Sequence, residues 1–67
     1  MSKYNMSPSK LIKLLRQHGF VFIRQSGSHA IFKNDQLNKK VVVPIHSKDI
    51  PTGTLHAILA DAGINRD

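Results

Sequence analysis

The chain has 67 residues, no cysteine, and ten Lys and Arg against four Asp and Glu, for a formal net charge of +6. That length allows one domain with one modest core, burying about 60% of the unfolded surface, and the missing thiols exclude disulfide staples and thiolate-bound zinc. The apolar runs fall far short of the roughly 20 residues that span a membrane, and no signal-peptide pattern opens the chain, so the expected setting is the cytoplasm with no membrane contact.

A positive field this dense on so small a body points to nucleic acid, or else to an acidic protein partner. Residues 1–6 show no periodicity and read as a flexible tail on a single domain spanning 1–67. Ser7-Pro8 reads as a helix start, with Ser7 as N-cap and Pro8 in the first helical position. Leu11, Ile12, Leu14 and Leu15 recur at helical spacing, and Gly19 supplies a stop, which predicts a first helix over 8–18.

Phe20 to Arg24 is aromatic and β-branched, which predicts a first strand. Ser26-Gly27 is expected to turn the chain into a second strand over 28–33. Asn34 to Asn38 is polar and turn-forming. Lys39 to Ile45, with Val41-Val42-Val43 at its centre, predicts a third strand that Pro44 ends. His46 to Ile50 reads as a loop. Pro51 then opens a second helix in which Leu55, Ile58, Leu59 and Ala62 share a face, and Gly63 stops it.

The expected fold is α+β: a two-layer α-β-β-β-α sandwich, a three-stranded antiparallel sheet with both helices on one face. Alternation assigns Val21, Ile23, Ala30 and Phe32 to the core face. Phe22, Arg24, His29, Ile31 and Lys33 fall on the opposite face, which is more apolar than a plain solvent face and therefore suits a protein interface.

His29 stands where the Ser26-Gly27 turn meets the second strand. Histidine is the one side chain whose unperturbed pKa lets it give and take protons near neutral pH. Two readings are open from the residues alone: a proton-transfer group, or an exposed or satisfied strand histidine. His18 fits a helix C-terminus and His56 the polar side of the second helix. No close metal-ligand spacing such as H-x-x-x-H occurs, so neither a metal nor another cofactor is expected.

Gly19-Phe20, Arg24-Gln25-Ser26-Gly27-Ser28-His29, Val43-Pro44-Ile45-His46, Pro51-Thr52-Gly53-Thr54-Leu55, Ile58-Leu59 and Ala62-Gly63-Ile64 together resemble HicA. HicA is the toxin family of bacterial and archaeal type II toxin–antitoxin pairs. The resemblance runs from about Ser7 to Ile64, and Gly-Ser-His at the second strand is its most diagnostic piece. It implies a fold like the double-stranded-RNA-binding domain and a small endoribonuclease that cleaves mRNA and arrests translation. It also implies His29 as the catalytic residue and a cognate HicB-type antitoxin that covers the site.

RNA carries its own nucleophile, the 2′-hydroxyl, so such an enzyme needs proton transfer and charge stabilisation at phosphorus. Arg24, Ser28, Lys33, Lys39 and Lys40 are the candidates for holding RNA; for Arg24 and Lys33 a plain solvated face is the competing reading. Lys10, Lys13 and Arg16 either track phosphates or form a solvated helix face. Phe22, His29 and Ile31 are the candidates for antitoxin contact. His46 either caps its loop or shares in catalysis. The competing classes are a non-catalytic RNA-binding module of the same fold and a pure protein-interaction domain.

Overall fold

Ser7 sets the start of the first helix. Its hydroxyl accepts a hydrogen bond from the Lys10 amide at 3.3 Å. Pro8, with no amide to leave unsatisfied, takes the first helical position. α1 then runs Pro8–Gln17 in the computed structural model, which describes residues 6–45 and 49–64. The Phe20 amide returns to the Leu15 carbonyl at 2.9 Å, closing the helix end and dropping the Phe20 ring into the core.

Three strands follow: β1 (Val21–Ser26), β2 (His29–Asn34) and β3 (Lys39–Pro44), paired antiparallel in the order β1-β2-β3. The first hairpin closes on Ser26 opposite His29, with Gly27 at φ +59° and Ser28 outside the positive-φ region. This is the II′ pattern, whose twist suits adjoining strands. The turn is therefore Gly27-Ser28, one residue later than the sequence suggested, and Ser28 lies in it and not in the strand. α2 spans Thr52–Ala62 and ends at Gly63 in the left-handed region.

Leu11 and Leu15 from α1, and Leu55, Ile58, Leu59 and Ala62 from α2, are buried in one cluster with Ala30, Phe32, Val41 and Val43 of the sheet. Both helices thus cover the same sheet face, as the expected two-layer α+β arrangement requires. Ile50 is fully buried just before α2, and its amide donates to the Met6 carbonyl at 2.8 Å. Met6 and Ile50 form a short antiparallel bridge, so Met6 belongs to the folded domain and not to a loose tail. The rest of the expected tail, 1–5, lies outside the described residues.

Asn34 is the one buried polar residue among those described. Its Nδ2 donates to the His18 carbonyl at 2.9 Å, and its Oδ1 accepts from the Leu37 amide at 3.0 Å. One amide side chain therefore ties the end of α1 to the turn after β2.

The alternation expected in β1 does not hold. Val21 faces Lys33 and Phe22 faces Phe32, but Arg24 faces Ile31, and the register shifts across Ile23. A β-bulge of this kind inserts one residue and flips the strand before it. Phe22 is consequently on the helix side of the sheet, edge-on to Phe32 with ring centroids 5.7 Å apart, and Val21 is on the outer side. The two had been expected the other way round. Ala30 and Phe32 are buried as expected, and Arg24, His29, Ile31 and Lys33 share the outer face.

Candidate nucleic-acid interface

Pairing sets the outer face of the sheet in three rows. Ser26, His29 and Pro44 form the row nearest the first hairpin; Arg24, Ile31 and Val42 form the next; Val21, Lys33 and Lys40 form the third. Each row lies about 6.6 Å from the next, two residues along a strand. His29 is exposed at the head of β2, held by pairing to a strand on each side.

Arg24 is the diagonal neighbour of His29, a relation that places side-chain origins about 7–8 Å apart, within reach of a long side chain. Its guanidinium and the imidazole can address one phosphate. Lys33 and Lys40 face each other about 13 Å further along β2, four residues from His29. They cannot share that phosphate and suit a neighbouring one. Lys33 also lies 3.3 Å from Asp35, whose side chain is 85% exposed. So open a pair contributes little and leaves Lys33 able to exchange partners.

Lys39 does not join this group. It sits opposite Asn34, on the helix side, and its stem packs at the end of α2: a Cβ at Gly63 would come within 3.1 Å of Lys39 Cε. The consecutive lysines at 39 and 40 thus serve different sides of the sheet. Ser28 is half-buried in the hairpin turn, where its carbonyl accepts from the Ile45 amide at 2.8 Å. That bond fixes the turn, and with it the start of β2 at His29, to the end of β3.

Lys10, Lys13 and Arg16 are exposed on α1, in the helix layer, so the sheet separates them from the face that carries His29. His18 caps α1 through its backbone, and His56 is exposed on α2, as expected. His46 lies outside the described residues. Among the described residues, no three His, Asp or Glu side chains come together as a possible metal site.

The outer face is also apolar. Val21 and Val42 are about half exposed on it, with Ile23 at the bulge and Ile31 half-buried between the strands. Neither Val21 nor Val42 was assigned to this face from the sequence: Val41-Val42-Val43 is apolar throughout, and nothing in Val21-Phe22-Ile23 marks the bulge.

A small α+β domain with the order helix, three antiparallel strands, helix is the framework that the sequence resemblance led one to expect. The family model for the HicA toxin of bacterial toxin–antitoxin systems matches residues 8–64. The chain belongs to the HicA toxin family, which gives it the role of a toxin with an antitoxin partner. Comparison with curated proteins returned no match. Among the described residues, no helix is long and apolar enough to cross a membrane.

Proposed function

We propose that the chain is an endoribonuclease that cleaves mRNA in the cytoplasm and arrests translation, with His29 as its general acid or base and no metal required. The observation that carries this reading is the placement of His29, exposed on the outer face with Arg24 as its diagonal neighbour. In the reaction the 2′-hydroxyl oxygen attacks phosphorus and the bond to the 5′-oxygen breaks. The 2′-proton leaves to a base, and the 5′-oxygen takes a proton from an acid. His29 performs one of these transfers, and water or a second side chain performs the other. Arg24 offsets the charge that builds on the phosphoryl oxygens. Lys33 and Lys40 hold a phosphate further along, and Ser28 lines the hairpin end of the path.

The antitoxin covers His29 and Ile31 in this reading, together with the exposed Val42 beside them. Phe22, on the helix side of β1, is not part of that covered face.

The test is cleavage of RNA by the purified protein with a His29→Ala control. The variant should lose about 10²–10⁴-fold in rate and keep its stability within about 0.5 kcal/mol. The upstream fragment should end in a 2′,3′-cyclic or 3′-phosphate, DNA of the same sequence should be spared, and EDTA should not inhibit. A 3′-hydroxyl product would replace the 2′-hydroxyl mechanism with attack by water. RNA binding with no cleavage would leave the non-catalytic module.

A further inference from the structure

β1 is exposed at every position, whereas β2 and β3 alternate between buried and open residues. The strand has β2 on one side and, among the described residues, no strand on the other. Its outer edge therefore presents a row of backbone N–H and C=O groups that no described strand uses. Val21, Phe22 and Ile23 follow one another there, 56%, 47% and 50% exposed, and the bulge places apolar side chains on both faces of the strand. Lysine and proline, which commonly blunt such an edge, are absent from Val21–Ser26.

We propose that the free edge of β1 is where the antitoxin docks, by adding an extended segment of its own as a fourth strand of the sheet. The segment carries carboxylates among apolar side chains. Charge selects this occupant over a second copy of the chain. The chain as a whole carries a net charge of +6, and the charged residue of β1 itself is Arg24. A second copy would set two strongly cationic chains edge to edge, with Arg24 of each at the seam. An acidic strand would neutralise it, while strand addition supplies backbone bonds and the alternate side chains supply specificity. The bulge at Ile23 adds selection, because only a strand fitted to the shifted register pairs along the whole edge.

The proposal rests on the toxin–antitoxin pairing and not on RNA cleavage, so the two fail separately. Hydrogen exchange should be followed in the full chain alone and in the purified complex with the antitoxin of its pair. We expect amides within residues 22–25 that exchange freely in the chain alone to slow at least tenfold in the complex. Ile23→Lys should weaken the complex at least tenfold while leaving thermal unfolding and RNA cleavage at native levels. Unchanged exchange along β1 in the complex would overturn the proposal, and this measurement needs no variant. Sedimentation of the chain alone should show a monomer; a dimer with the same β1 protection would give the edge to a second copy and overturn it equally. Loss of RNA cleavage in the native protein would instead strike only the enzymatic reading.

Discussion

The sheet has two edges, and they are finished differently. β3 begins with Lys39 and Lys40 and ends in Pro44, and both of its inward valines are buried under the helices. β1 has neither device and keeps its apolar residues in the open. The helices belong to the β2–β3 side of the sheet, so β1 overhangs the core they form. The same kind of strand, from the same kinds of residue, thus contributes stability at one edge and exposed surface at the other. A chain of 67 residues has few apolar side chains to spare. Leaving Val21, Phe22 and Ile23 outside is costly for solubility, and it is understandable if a partner takes them up.

Phe22 and Phe32 give the sharpest test of this contrast, since they face each other in one pair yet differ in exposure, 47% against 2%. Phe32→Ala should cost about 3–5 kcal/mol. Phe22→Ala should cost about 0.5–1.5 kcal/mol, the worth of its edge-on contact. Urea unfolding of both variants decides it, and equal losses would mean that β1 is covered after all. The next effect is smaller. Val43→Ala on β3 should lose about 2 kcal/mol, while Ile23→Ala on β1 should stay within about 0.5 kcal/mol.

The smallest effect separates the neighbouring lysines. RNA binding by the His29→Ala protein should weaken linearly with salt on logarithmic axes, and each phosphate contact contributes about 0.7 to the slope for a single strand. Lys40→Ala should lower the slope by about that amount. Lys39→Ala should leave it unchanged, because Lys39 lies against α2. Equal slopes for the two variants would show that the RNA path is not confined to the outer face.

The helices were legible in the sequence because 3.6-residue spacing, the Ser7 cap and the Gly63 stop all agree. The faces of β2 were legible because alternation sorts it into a buried and an open side, and β3 was legible as a β-branched strand ended by Pro44. The faces of β1 were not, because three consecutive β-forming residues carry no alternation to betray an inserted one. Tertiary partners were equally silent: Ile50 in a loop, Met6 before a helix and Asn34 in a polar turn gain their roles only from segments distant in sequence. At the candidate site, the grouping of His29, Arg24, Ile31 and Lys33 was readable, since all lie after the bulge or on β2. Phe22 precedes it and was assigned to the wrong side. Lys39 was grouped with Lys40 on adjacency alone, which in a strand means opposite faces.

The Asn34 amide also bears on how the chain can evolve. A Cβ at position 19 would lie 2.9 Å from Asn34 Nδ2, and the backbone there has φ +89°, so a side chain at 19 both clashes with the amide and strains the chain. Shrinking residue 34 would make room, yet it would strip the His18 carbonyl and the Leu37 amide of their partner. Neither position has a cheap first step, and the double change does not restore what the single ones lose. Gly19 and Asn34 therefore depend on each other at the join of helix and sheet, and a change at either one undoes what the other supplies.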